Sequence, residues 1–278
     1  MLTLDDATLR DLLDEDVPYG DLTTRALAFG QARGRMVFAA RGPMVVAGSE
    51  EATRMLELLG CAVDLAAPSG SRVEAGGLIL GASGSAEALL AGWKVSQTLV
   101  EWASGLATRA AAIVAAAQGA APEVRVACTR KAVPGTRALS FKAVVAGGAG
   151  IHRAGLSDTV LLFPEHRVFD AAACLKRKIG RLRAACPERK IVVEVTTRDE
   201  ALSAAEWGAD VVQLEKFAPE AVAEVARALG DSAVCLAAAG GVNAQNAGDY
   251  AAAGAQVLVT SAPYYAPPAD VKVTINPA

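Results

Sequence analysis

IVVEVTTRDEALSAAEWGADVVQLEKFAPEAVAEVARALGDSAVCLAAAGG, residues 191–241, alternates strand and helix twice and ends on a third strand and a glycine pair. IVVEV (191–195), DVVQL (210–214) and AVCLAA (233–238) are short, mainly apolar runs, the pattern of strands buried on both faces of a parallel sheet. TRDEALSAAEWG and PEAVAEVARALG lie between them as helix candidates, each closed by glycine. Outward from this stretch the same strand type recurs at VRVACT (124–129), TVLLF (159–163) and QVLVT (256–260). A run of β-α units at that pitch predicts an α/β fold, either a doubly wound sheet or an α/β barrel. Six strands instead of eight point to an open, incomplete barrel.

The first hundred residues have another rhythm. Thr3 is a candidate cap for a short helix carrying Leu9, Leu12 and Leu13, with Asp6 completing a capping box. GRMVFAARGPMVVAG (34–48) predicts two short strands around an Arg-Gly-Pro turn, and SRVEAGGLILGASGS (71–85) two more around Gly76-Gly77. Leu89, Trp93, Leu99, Trp102, Leu106, Ala110, Ile113 and Val114 recur at helical spacings, so one long amphipathic helix or two consecutive ones run from Ala86 to about Gln118. DVKVTI (270–275) alternates cleanly and is expected to return to the N-terminal sheet.

Composition narrows the class. The 278 residues are 53% hydrophobic and 21% charged, with a net charge of −3, which argues against nucleic acid as the main partner. The acidic start MLTLDDATLRDLLDED lacks the basic-then-apolar order of a secretory signal. No stretch approaches eighteen consecutive apolar residues, so no membrane insertion is expected. Five scattered cysteines without a C-x-x-C read as reduced thiols, consistent with a cytoplasmic protein.

The chemistry concentrates in residues 129–167. Arg130, Lys131, Arg137, Lys142, His152, Arg153, His166 and Arg167 fall there, including both histidines of the chain. Such a cluster is either a pocket for a polyanionic small molecule or a solvated face. The carboxyl ends of the predicted strands, where α/β barrels carry function, collect Arg130-Lys131, Glu165-His166, Glu194, Glu215-Lys216, Gly240-Gly241 and Thr260-Ser261. Gly240-Gly241 reads as a phosphate site ahead of a helix or as a plain tight turn. Glu194, a carboxylate inside an apolar strand, either bridges a neighbouring cation or faces the pocket to hold a metal or a developing positive charge. His152 either serves the site or satisfies a backbone carbonyl. Neither histidine has zinc-site spacing.

GDLTT (20–24), SGLAT (104–108), TRKAVPGTR (129–137), HRAGLSD (152–158), Glu194-Val195 and the late glycine pair resemble, in order and over essentially the whole chain, the landmarks of the quinolinate phosphoribosyltransferase family. The resemblance implies an N-terminal α/β sandwich domain at 1–103, joined by strand 270–275, and an open parallel α/β barrel at 104–278. It also implies a homodimer or higher homo-oligomer with shared active sites. Several positions depart from the quinolinate enzymes. Lys94 stands where an arginine reaches into the neighbouring site, Phe163 where a lysine binds ligand, and Ala239 where a serine precedes the glycines. FPEHRVF, VVQLEKF and VTSAPYYAPPADVKV resemble a sister group within the family, the ModD proteins encoded beside molybdate transporters.

What the resemblance implies is transfer of phosphoribose from phosphoribosyl pyrophosphate (PRPP) to a nitrogen heterocycle, with release of pyrophosphate and a link to molybdenum transport or metabolism. Lys131, Glu194 and Glu215 would be catalytic, the two glutamates holding Mg²⁺. Lys94, Arg130, His152, Arg153 and His166 would bind the acceptor, an anionic small molecule. Gly240, Gly241, Thr260 and Ser261 would seat the 5′-phosphate. The competing reading is a non-catalytic anion-binding or sensor protein on the same scaffold. A biotinyl-like carrier is rejected, because residues 61–85 contain no lysine.

Overall fold

The computed structural model describes residues 4–171 and 173–278, which form two compact units. The first comprises the chain to Ala111, Ala132–Gly148 and Pro263–Ala278, and the second Ala112–Lys131 and Ala149–Ala262. The N-terminal elements are α1 (Asp6–Asp16), α2 (Leu22–Leu27), β1 (Arg33–Ala40), β2 (Met44–Val45) and α3 (Ser49–Leu58). β3 (Ala62–Leu65), β4 (Arg72–Val73), β5 (Leu78–Ser85) and α4 (Ala86–Ala120) follow.

Thr3 lies outside the described residues. The α1 cap is Asp5, whose carboxylate accepts from the Thr8 N–H at 2.8 Å and so satisfies one of the free donors of the first turn. GDLTT is a second such start, with Asp21 accepting from the Thr23 N–H at 2.9 Å and from the Thr24 hydroxyl. Four antiparallel strands in the order β13-β1-β5-β3 form the sheet of this unit, β13 being Val271–Pro277. Period-two burial along β1 turns Met36, Phe38 and Ala40 into the core. The strand pairs expected around the two turns are not hairpins. β2 pairs with β4 in a separate ladder (Met44 opposite Val73), while β5 lies between β1 and β3.

α4 is one continuous helix of 35 residues. By length and composition alone it could cross a membrane, yet Val100, Ala103, Leu106, Ala107, Ala110 and Ile113 are fully covered by protein. The SGLAT landmark lies on it and has a structural role. Ser104 and Thr108 accept the N–H groups of Ala47 and Val45 at 3.0 and 2.9 Å. Gly105 lets the Pro267 carbonyl approach to where a Cβ would sit 2.2 Å away, a contact no side chain tolerates.

The chain continues through β6 (Arg125–Cys128), α5 (Arg137–Ala146), β7 (Gly150–Ile151), β8 (Val160–Leu162), α6 (Pro164–Val168) and α7 (Leu175–Ala185). It closes the β-α series with β9 (Ile191–Val195), α8 (Arg198–Glu206), β10 (Val211–Glu215), α9 (Pro219–Leu229), β11 (Cys235–Ala239), α10 (Ala247–Ala252) and β12 (Val257–Thr260). The second unit carries a seven-stranded parallel sheet in the order β7-β6-β12-β11-β10-β9-β8, with β7 and β8 as edges. This is an open α/β barrel. All six strands read from the sequence are present; the seventh, β7, has two residues and no apolar run to announce it. Val193, Val195, Val212, Leu214, Leu236 and Leu258 are almost wholly buried, and the alternate positions, among them Glu194, Gln213, Glu215 and Val259, line a cavity.

Candidate active site

A cavity of about 760 Å³ opens at the carboxyl ends of the parallel strands, within the range of small-molecule sites. Register sets its chemistry. Gln213 on β10 pairs with Glu194 on β9, so the two side chains stand on one face, and Glu215 follows two residues on. Gln213 donates Nε2–H to Glu194 Oε2 at 2.6 Å. The partner of Glu194 is therefore a neutral amide, not a bridging cation, and its side chain faces the cavity. Burial pushes the Glu194 carboxyl above its usual value; Glu215 and Glu165 push the same way, against the Gln213 hydrogen bond and Lys131.

Another part of the lining is cationic. Arg130 and Lys131 follow β6, and His152 and Arg153 follow β7. Arg153 is 6% exposed and latched by its own loop, donating Nε–H to the Gly155 carbonyl at 3.1 Å and Nη2–H to the Leu156 carbonyl at 3.3 Å. Its Nη1 is buried with no hydrogen-bond partner among the described residues. The His152 N–H is held by the Cys128 carbonyl at 2.9 Å, while burial and then Arg153 depress its imidazolium below the ordinary histidine value.

Eleven of the twelve site residues expected from the sequence line this one cavity. The twelfth, Lys94, belongs to the first unit. There its ammonium lies 4.2 Å from the Trp93 ring centroid and 3.3 Å from Gln97 Oε1. The basic stretch 129–167 does not act as a whole. Lys142 is buried in the first unit, bonded to both carboxylate oxygens of Glu51 at 2.7 and 2.6 Å and to Glu50 at 2.9 Å. Arg167 pairs with Glu200 at 3.0 Å, and Arg137 opens α5 in the first unit.

Gly240 and Gly241 both adopt positive φ, +88° and +94°. A Cβ on Gly240 would lie 2.6 Å from Lys216 Cγ and 3.0 Å from Glu215 Oε1, so only glycine fits that turn. Asn243 and Asn246 brace the loop, both donating to the Gly241 carbonyl at 3.1 Å. The glycines do not sit at a helix start, because α10 begins at Ala247; what they offer an anion is backbone N–H. Thr260 is spent structurally, donating its hydroxyl to the Val242 carbonyl at 2.6 Å and accepting from the Ala262 N–H at 3.0 Å. Ser261 lines the cavity beside it.

Gln213, Phe163 and Glu165 also line the cavity without a role assigned from the sequence. Gln213 carried the same signal as Glu194, a polar residue inside an apolar strand. Glu215 forms no ion pair with Lys216 among the described residues, because Lys216 turns into the left-handed region (φ +59°) with its N–H on the Ala239 carbonyl at 2.8 Å. No cluster of three or more His, Cys, Asp or Glu able to hold a metal occurs among the described residues. Two convergent carboxylates nonetheless suit Mg²⁺, which takes one or two carboxylates and completes its octahedron with phosphate oxygens and water.

Residues 21–104 match the family model for the quinolinate phosphoribosyl transferase N-terminal domain and residues 106–274 that for its C-terminal domain. A Rhodobacter capsulatus protein named as the pyrophosphorylase ModD is 59% identical over 248 residues, 89% of this chain and 96% of that protein. The human carboxylating nicotinate-nucleotide pyrophosphorylase is 34% identical over 252 residues, 88% of this chain and 84% of the human one. In fold, the chain matches the crystal structure of NadC from Streptococcus pyogenes with a TM-score of 0.90 at 24% identity, covering 99% of this chain and 100% of that one.

Proposed function

This chain belongs to the quinolinate phosphoribosyl transferase family, and on that premise we propose that it transfers phosphoribose from PRPP to a ring nitrogen of a small anionic heterocycle. The C1–oxygen bond to pyrophosphate breaks and its electron pair leaves with pyrophosphate. The lone pair of the ring nitrogen forms the new C1–N bond through an oxocarbenium-like state. One observation carries this reading: cations that follow β6 and β7 and carboxylates of β9 and β10 line the same cavity.

Lys131 neutralises charge on the leaving pyrophosphate, the group on which negative charge grows in the transition state. Glu194 and Glu215 steady the cationic ribose and would hold Mg²⁺, whose contribution when bound is to neutralise pyrophosphate oxygens. Burial first, and then the neighbouring Glu215, raises the Glu194 carboxyl, and a bound cation would relieve both. Arg130, His152 and Arg153 grip the anionic group of the acceptor. His166 has only Nε2 to offer, because Nδ1 accepts the Phe163 N–H at 3.0 Å. The Gly240-Gly241 backbone and Ser261 receive the 5′-phosphate. We further propose a cytoplasmic homodimer or larger assembly in which Lys94 completes the site of a neighbouring copy, acting on an acceptor linked to molybdenum metabolism.

The test is Mg²⁺-dependent pyrophosphate release from PRPP across a panel of aromatic carboxylates and nitrogen heterocycles. Release with one acceptor, reduced about 10²–10³-fold in Lys131→Ala without a change in melting, is the expected result. Silence across the panel with ligand binding retained would leave an anion-binding protein on a transferase scaffold.

A further inference from the structure

Part of the cavity lining is apolar. It is built from Phe163, at the carboxyl end of β8, with Leu161 and Leu156. Phe163 is a fixed platform. Its ring stacks on His166 with centroids 5.7 Å apart and planes 19° from parallel, and its own N–H holds His166 Nδ1 at 3.0 Å. Pro164 stiffens the turn by restricting φ directly after it. An aromatic face held this way favours a flat ring lying against it and offers a charged substituent nothing but desolvation.

The polar atoms around the platform point the same way. Three cations, Arg130, Lys131 and Arg153, share the cavity with three carboxylates, Glu165, Glu194 and Glu215, so its lining carries no surplus of positive charge. Two buried polar atoms of its lining lack hydrogen-bond partners among the described residues: Arg153 Nη1, a cationic donor, and Gln213 Oε1, an acceptor. Gln213 is 4% exposed and its Nε2 is committed to Glu194, which leaves the oxygen for a ligand donor. Arg153 Nη1 is one buried cationic donor and suits one anionic group. A second carboxylate on the edge of the ring turned to Gln213 or Phe163 meets an amide oxygen or an aromatic face, and neither neutralises it.

We infer that the acceptor is a flat nitrogen heterocycle with a single anionic group, and that Phe163 selects it against the corresponding dicarboxylate. The inference rests on the phosphoribosyl-transfer reading and names the substrate class for it. Once the anion is seated on the Arg153 side, the ring lies along Phe163.

Isothermal titration of nicotinate, the single-carboxylate probe, and quinolinate, its vicinal dicarboxylate, against wild type, Phe163→Lys and Phe163→Met tests this directly. Nicotinate should bind wild type and Phe163→Met at least about tenfold tighter than quinolinate, the cost of one unpaired charge at the platform. In Phe163→Lys the ratio should collapse or invert. Tighter quinolinate binding to wild type, an unchanged ratio in Phe163→Lys, or binding of neither probe overturns the inference. Pyrophosphate release is read in parallel: selective nicotinate binding with no release under any condition overturns the transfer reading and leaves the selectivity standing.

Discussion

Gln213 holds Glu194. Its amide donates to Glu194 Oε2 at 2.6 Å across one rung between β10 and β9, and this is the hydrogen bond that favours the ionised form of a carboxyl that burial, Glu215 and Glu165 all push towards protonation. A cationic transition state needs that carboxylate ionised, so a neutral amide in the strand floor sets the acid side of the reaction. Replacing Gln213 by methionine removes the donor and leaves the opposing influences in place. The Glu194 carboxyl then rises further, and the acid limb of kcat/KM for PRPP moves to higher pH, with most of the loss recovered on the alkaline side. A pH–rate profile of Gln213→Met that overlays wild type would remove Gln213 from this role.

Glu194 itself trades stability for function. A carboxyl raised in the folded protein binds its proton more tightly there than in the unfolded chain. Its favourable contribution to folding is complete below the unfolded value and is lost as pH climbs through the folded one. At neutral pH the ionised group is a burden on the fold, and an isosteric amide is not. Glu194→Gln should melt higher than wild type at pH 7, by about 2 °C, while transfer collapses. The gap should close as pH falls into the carboxylate range. Equal melting temperatures at pH 7 would count against a strained carboxylate.

The barrel was legible because β9, β10 and β11 are continuous apolar runs separated by helices of suitable length, and a polar residue in such a run stands out as either a bridge to a neighbour or a group facing the cavity. That logic identifies Glu194 and applies to Gln213 as well, with a weaker signal because an amide costs less to bury than a charge. Side-chain commitments were not legible. Lys142 stands eleven residues from Lys131 in one basic stretch, yet it lies on the buried side of α5 against Glu51, and no linear pattern names that partner. Thr260 reads as a free hydroxyl until the Val242 carbonyl is placed beside it. Turn residues around Gly42 and Gly76 announced chain reversals but not pairing, so β2 and β4 found each other instead of their sequence neighbours.

The glycine loop should be intolerant at Gly240 and forgiving at Lys216. Gly240→Ala places a methyl 2.9 Å from the Lys216 backbone nitrogen at φ +88°, so the loop must shift. Loss of about 1–3 kcal/mol of stability is expected, together with a raised KM for PRPP. Lys216, a non-glycine residue in the left-handed region, carries a smaller strain of its own. Lys216→Gly should gain about 1 kcal/mol against wild type in chemical denaturation. If Gly240→Ala keeps wild-type stability and KM, the close approach does not govern the loop.

Lys142 and Glu51 give the clearest separation of structure from site. Both side chains are 1% exposed and bonded at 2.6 Å, while Glu50, the third member, is anchored independently by the Ser69 N–H at 2.8 Å and hydroxyl at 2.5 Å. Lys142→Met leaves Glu51 buried without a counter-ion and should cost about 3–5 kcal/mol. The double variant Glu51→Leu/Lys142→Met removes both charges together. It should recover most of that loss, because an apolar pair of similar volume replaces the ion pair while Glu50 keeps its Ser69 bonds. Urea unfolding of the two single variants and the double variant measures this coupling. A Lys142→Met protein that melts like wild type but loses pyrophosphate release would return Lys142 to the anion-binding cluster suggested by its place in the sequence.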